Sequence, residues 1–298
     1  MASDAERVSA HESLLLGLLD ALGGDADNRD FQVVLFLYCQ ESKSGQPYEF
    51  APTKQGPYSF TCQNDLRRLT SHELIESDDQ SWKLTTKGKG MVDRDKTLAD
   101  FVGGLDKSRG DDLLLEAYRR FPYFAIKSDN AAAILKDDHA ALTKVKAEEP
   151  KPVDEPLLTI GYEGRSLEAY LNILIRAGAT LLCDVRGNPN SRKFGFAKST
   201  LARTSGEVRL RYEHLPELGI PTSERRDLKT DADYQALFED YKRTQLPHKT
   251  EALKTILDWI KAGEKVALTC YELDPRHCHR HCISDALGAH GKISVGHL

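Results

Sequence analysis

The sequence predicts an α/β protein in two parts. A mainly helical, winged-helix-like domain covers residues 1–136, a linker covers 137–156, and an α/β domain covers 157–298. The second domain should hold a Rossmann-like, mostly parallel sheet with helices on both faces. Three observations carry this. Apolar runs of strand length alternate with amphipathic helical stretches after residue 157. The stretch between the parts is charged and punctuated by Pro150, Pro152 and Pro156. Before it, the order helix, helix, hairpin is that of a winged helix.

Each element follows from its residues. Phe31 to Glu41 has helical apolar spacing, and a loop containing Gly56 and Pro57 follows. A second helix should run from Ser59 to Leu69. Leu74-Ile75-Glu76 and Trp82-Lys83-Leu84 flank the turn-like Asp78-Asp79-Gln80-Ser81, which reads as a hairpin. In the second part, Leu157 to Ile160 is a strand that ends at Gly161. Ser166 to Ala177 is a helix stopped by Gly178. Strands are expected at Thr180–Val185, Leu210–His214, Lys265–Cys270 and Ile293–Gly296. Helices are expected at Tyr234–Tyr241, Lys249–Lys261 and Pro275–Ala289.

Composition excludes several classes. No apolar run approaches the roughly 18 residues of a membrane span, and Asp4 and Glu6 replace the basic start of a signal peptide. A cytoplasmic protein without membrane partners is the expectation. Six cysteines in 298 residues are too sparse for a disulfide framework. The net charge is −5, but Arg186 to Arg211 carries seven basic residues against the single acid Glu207. Such a stretch reads either as an anion-binding segment or as a solvated loop.

In open parallel sheets, ligands bind at the carboxyl ends of the strands. Here those ends are the polar ones. Tyr162 and Glu163 follow the first strand. Asp184, Arg186, Ser191, Arg192 and Lys193 follow the second, and His214 ends the third. Cys270, Glu272, Cys278, His279 and Arg280 follow the fourth, and His297 ends the last. Asp184, Glu272, His279 and Cys270 are the candidates for chemistry, and the others for substrate contact. Asp184 reads equally as a carboxylate locked to a nearby arginine, and Cys270 as a buried thiol. With a helix starting at Pro275, His279 falls on the apolar face set by Ile283, Ala286 and Leu287. His277, His281, Ser284 and Asp285 fall on the solvent side. Cys270, Cys278, Cys282 and a histidine are permissible zinc ligands, but the cysteine spacing matches no zinc-finger pattern, so no metal and no cofactor are assigned.

These residues also carry a resemblance. Thr159 to Glu163, Asp184-Val185-Arg186 with Pro189 and Ser191, Phe194-Gly195-Phe196, Tyr212 with His214-Leu215-Pro216, and Cys270-Tyr271-Glu272 with Cys278-His279-Arg280 resemble the family called domain of unknown function 488. Tyr162 stands where many members have histidine. In the first part, Tyr48 to Ser59, with Gly56-Pro57-Tyr58-Ser59 as its most specific portion, resembles the SocA-like (Panacea) antitoxin family. That resemblance implies a DNA-binding or protein-docking module, with Arg67 and Arg68 as DNA contacts.

The expected function is an enzyme directed at nucleic acid, DNA foremost, or at a nucleotide. Hydrolysis of an N-glycosidic bond, as in base excision from modified DNA, suits a few carboxylates among arginines better than two-metal phosphodiester cleavage does. The alternatives are a DNA-binding regulator whose α/β domain senses a nucleotide without turnover, and an antitoxin-like or scaffolding protein.

Overall fold

The computed structural model describes residues 8–42, 46–78, 80–105, 109–151, 153–225, 228 and 230–298. Asp4 and Glu6, Asp79 of the expected hairpin turn and Pro152 of the expected linker lie outside the described residues. The chain divides into one unit over Met1–Glu149 and another over Pro150–Leu298. Among the described residues, no helix is long and apolar enough to cross a membrane.

In the first unit, α1 (Ala10–Ala21) starts at a capping box: Ser9 accepts from the Glu12 amide and the Glu12 carboxylate accepts from the Ser9 amide. Strand β1 (Asp25–Asp27) leads into α2 (Asn28–Glu41), whose N-cap is Asp27. The expected loop at Gly56-Pro57 is instead a tight antiparallel pair, β2 (Ala51–Thr53) and β3 (Gly56–Tyr58). It closes because Thr53 Oγ1 donates to the Gly56 carbonyl and Gly56 adopts φ +113°. Helix α3 (Phe60–Ser71) is capped by Ser59. The hairpin of β4 (Ile75–Ser77) and β5 (Ser81–Leu84) then pairs with β1 in the order β1-β5-β4.

The short helices α4 (Thr86–Gly90), α5 (Lys96–Gly104), α6 (Asp111–Arg120) and α7 (Ala131–Ile134) follow. The core lies under α2, where the Phe36 ring meets Phe50, Phe121 and Phe124 at 4.5–5.2 Å. The expected linker is helical over half of its length. Helix α8 (His139–Glu148) is capped by Asp138 and buries Ala141 and Val145. Its charged residues occupy the solvent face, so composition alone hid a narrow apolar stripe.

The second unit is built on β6 (Leu157–Gly161), β7 (Leu181–Asp184), β8 (Arg211–His214), β9 (Val266–Cys270) and β10 (Val295–His297). All four pairings are parallel, in the order β10-β6-β9-β7-β8. Parallel strands need helical crossovers. These are α9 (Leu167–Arg176), α10 (Lys198–Glu207), α11 (Asp231–Asp240), α12 (Thr250–Lys261) and α13 (Arg280–Gly291). Helix α10 falls inside the basic stretch that read either as an anion-binding segment or as a solvated loop.

Side chains alternate across the sheet. Leu157, Leu181, Cys183, Val185, Val266 and Leu268 pack with Ile256 of α12 and with Cys282, Ile283 and Leu287 of α13. The other face meets α9, where the Tyr170 hydroxyl donates to Thr269 Oγ1 at 2.7 Å. The α/β class with helices on both faces is therefore present, and the sheet is parallel throughout.

The chain leaves adjacent strands β6 and β9 toward opposite faces, through α9 and α13. That reversal is where open α/β sheets form a crevice. The ends of the two strands are also in backbone contact: a Cβ placed on Gly161 would lie 1.9 Å from the Glu272 carbonyl oxygen.

Candidate functional site

Two polar clusters form at the carboxyl edge, one on each face of the sheet. On the α9 face, Asp184 ends β7 fully buried. Its Oδ1 accepts from the Arg186 amide at 3.1 Å and from Arg186 Nε at 2.8 Å. Its Oδ2 accepts from Arg186 Nη2 at 2.6 Å and from the Tyr212 hydroxyl at 2.7 Å. Arg186 Nη1 donates to the Tyr162 hydroxyl and to the Phe196 carbonyl, both at 2.9 Å. The Tyr162 ring stacks on Phe196 at 4.3 Å.

Burial opposes the Arg186 charge, but the hydrogen bonds and charge of Asp184 more than offset it and hold the guanidinium above its ordinary pKa. Burial and the neighbouring Asp184 charge raise the Tyr212 hydroxyl. Asp184 and Arg186, expected as a reacting carboxylate and an anion contact, are thus committed to one another. Tyr212 completes this cluster. Its signal in the sequence was its place two residues before His214, on the same strand face as Asp184.

On the α12 and α13 face, Cys270 ends β9 with its sulfur 3.3 Å from Glu272 Oε2 and 3.7 Å from His279 Nδ1. Cys278 Sγ lies 3.8 Å from the same nitrogen. The far nitrogen, Nε2, is 3.0 Å from the Val185 carbonyl. Cys270, Cys278 and His279 are all buried. Burial pushes the Cys278 thiol well above its ordinary pKa, with the nearby Arg280 charge acting the other way.

Arg280 was expected to meet an anion. It is buried instead, and its Nη1 and Nη2 donate to the Glu272 and Leu273 carbonyls at 2.5 and 2.8 Å. It fixes the loop that carries Glu272. Glu163 Oε2 accepts from the Leu273 amide at 3.0 Å and ties the β6 end to the same loop.

Cys282 does not join this group. It lies in the core with Ile283, its sulfur 3.4 Å from His281 Nε2. The chain from Pro275 to His277 is a 3-10 turn, and α13 begins only at Arg280. This start changes the helical phase. Ser284, expected in solvent, is buried and donates to the His281 carbonyl. His281, also expected in solvent, is half-buried with its ring edge-on to Phe238 at 5.0 Å. His279 points inward as expected, and His277 is partly exposed beside Asp231.

The remaining residues frame the edge. Lys193 Nζ donates to the Tyr162 carbonyl at 2.8 Å, and Ser191 Oγ accepts from the Lys193 amide. Burial lowers the Lys193 ammonium, with Glu163 opposing. Arg192 is exposed. His214 Nε2 donates to the Arg186 carbonyl at 2.8 Å, and its Nδ1 is 3.0 Å from Lys198 Nζ. His297 bonds Thr159 Oγ1 at 2.8 Å from β10, which β6 separates from β9, so it stands apart from Cys270. Phe194, Tyr271 and Leu273 are 40–46% exposed at these same loops. They were not expected as site residues, because an apolar side chain carries no chemical signal until its exposure is known.

Residues 166–287 match the family model described as Domain of unknown function DUF488. The resemblance of the C-terminal unit therefore rests on a matched model, which takes in Asp184, Arg186, Cys270, Glu272, Cys278, His279 and Arg280. Tyr162 and Glu163 precede the DUF488 match. No curated protein and no solved structure matches the chain.

Proposed function

We propose that the C-terminal unit is a hydrolase directed at a nucleotide or at nucleic acid, with Glu272 as its reacting carboxylate and an N-glycosidic bond as its target. The contrast between the two candidate carboxylates carries this reading. Asp184 is sealed by Arg186 and Tyr212, whereas Glu272 is partly exposed on a loop held by Arg280 and Glu163.

The surroundings suit a nucleotide. Exposed Tyr271 and Phe194 offer stacking faces, and Arg192, Lys193 and Lys198 offer cations to phosphates. A carboxylate beside a cationic sugar centre stabilises it and orients water. Asp184 and Arg186 act as positioning residues that shape the Tyr162 and Phe196 wall. The test is incubation with modified and unmodified DNA and with nucleotides, with released bases read by mass spectrometry. Base release that vanishes in Glu272→Gln supports the reading. Binding without turnover favours the sensing regulator instead.

We infer that the first unit is a winged helix that meets duplex DNA through α3. The order α1, β1, α2, α3, β4, β5, with the β2–β3 pair inserted between α2 and α3, and the β1-β5-β4 sheet support this. Exposed Arg67 on α3 lines a cleft of about 340 Å³ with Asn28, Gln63 and Ser77. Arg68 is tied to Glu12 at 3.4 Å, so Arg67 is the stronger DNA contact of the two.

A further inference from the structure

The group at the end of β9 has the geometry of a metal centre. The ligand atoms of Cys270, Cys278 and His279 all lie within 4.8 Å of one another. Both sulfurs stand 3.7–3.8 Å from His279 Nδ1. A tetrahedral ion with metal–sulfur bonds of about 2.3 Å and a metal–nitrogen bond of about 2.05 Å requires a sulfur–nitrogen edge of about 3.6 Å. The two observed edges fit that figure.

The histidine is prepared for the same task. The Val185 carbonyl can only accept, so Nε2 carries the proton and Nδ1 presents its lone pair to the two sulfurs. A ligating histidine is held in just this way, its far nitrogen donating to a backbone carbonyl that fixes ring and tautomer. Without an ion, the Cys270 thiol can donate to Glu272 Oε2 and the Cys278 thiol to Nδ1; one cation would take the place of both protons and engage all three ligand atoms.

We propose that Cys270, Cys278 and His279 bind one zinc-class divalent ion through two thiolates and one imidazole, leaving a fourth position on the side of Glu272. Among the described residues, no further histidine, cysteine or carboxylate joins the three within that radius. Three protein ligands and one open position are the pattern of catalytic sites, whereas structural sites are closed by four. Glu272 Oε2, 3.3 Å from Cys270 Sγ, stands beside the opening. A water bound there would pass one proton to the Glu272 carboxylate, leaving hydroxide on the metal and a neutral acid on Glu272. The sequence offered Cys270, Cys278, Cys282 and a histidine as permissible ligands without assigning a metal. The structure leaves Cys282 in the apolar core and makes His279 the histidine of the group, next to the turn at Pro275–His277.

Metal binding is measured apart from turnover, so this proposal and the hydrolase reading can fail separately. The full chain, kept reduced, is stripped of metal and titrated with Co²⁺, then with Zn²⁺. The expected result is stoichiometric uptake, a thiolate-to-cobalt charge-transfer band in the near ultraviolet, tetrahedral visible bands, and displacement of both by Zn²⁺. Cys278→Ser and His279→Ala should weaken affinity by about 100-fold or more, while Cys282→Ser leaves it unchanged. The wild-type spectrum decides the matter even if a ligand variant fails to fold. Absence of the charge-transfer band in folded wild-type protein, or full affinity in Cys278→Ser, overturns the proposal.

Discussion

His279 Nε2 and the Val185 carbonyl, 3.0 Å apart, join α13 to the end of β7 across the sheet face that Asp184 turns away from. Consecutive residues, the last of β7 and the one that follows it, therefore serve two clusters. Asp184 holds Arg186 on one face, and the Val185 backbone holds His279 on the other. The two candidate carboxylates consequently have different consequences when removed.

Asp184→Ala should destabilise the protein by about 3–5 kcal/mol, because it leaves a buried guanidinium without its carboxylate. Glu272→Gln should leave the melting temperature nearly unchanged and remove about 10²–10⁴-fold of any turnover. Thermal unfolding of both variants beside base release checks this. Equal stability of the two would refute the division of roles.

Gly161→Ala should damage the site without touching a polar side chain. Its Cβ would lie 1.9 Å from the Glu272 carbonyl oxygen and 2.6 Å from the carbonyl carbon. Backbone cannot yield as a flexible side chain does, so the Glu272 loop must move. Lowered stability together with lost activity is expected. Activity at the wild-type level would show that the loop has slack.

The basic stretch has a salt signature. If Arg192 and Lys193 meet phosphates, binding should weaken steeply with salt, and alanine at both should flatten the slope by up to about two in log–log terms. Fluorescence anisotropy with a labelled oligonucleotide at several salt concentrations measures it. Arg67→Ala in the first unit should weaken duplex binding more than Arg68→Ala, because Arg68 already faces Glu12.

Cysteine reactivity should be silent where burial governs. Burial pushes the Cys39 thiol up to about 11 and the Cys282 thiol up to about 12. Near pH 8, roughly one Cys282 in ten thousand is then a thiolate. The shift is upward, so the reactive form gains only as pH climbs toward those values. Iodoacetamide should label neither residue in native protein and both after denaturation, as peptide mapping would show.

Much of this arrangement was legible in the sequence. The polar strand ends and the β4–β5 hairpin followed from spacing alone, whereas the burial of His279 agrees with its expected direction although the helix it was read from starts only at Arg280. Helix α10 did not follow from spacing, because only Leu201, Thr204 and Ser205 are buried on it, a strip too polar to read as amphipathic. Nor did the separation of Asp184 from Cys270. Both end a strand, but Asp184 pairs with Thr269, one residue short of Cys270. That offset of one residue sends the two side chains to opposite faces, and pairing register is invisible in a single chain. Helix α8 was hidden by its charged face.

The alternation along β7 also bears on which length changes this protein can tolerate. Deleting Leu181, Leu182 or Cys183 would keep Asp184 in the sequence yet reverse the face it occupies. The carboxylate would turn into the apolar layer beneath α12 and α13, and Val185 would take the position that Asp184 holds on the other face. Insertions and deletions of odd length should therefore be confined to the loops, while the strand itself admits only exchanges of one side chain for another.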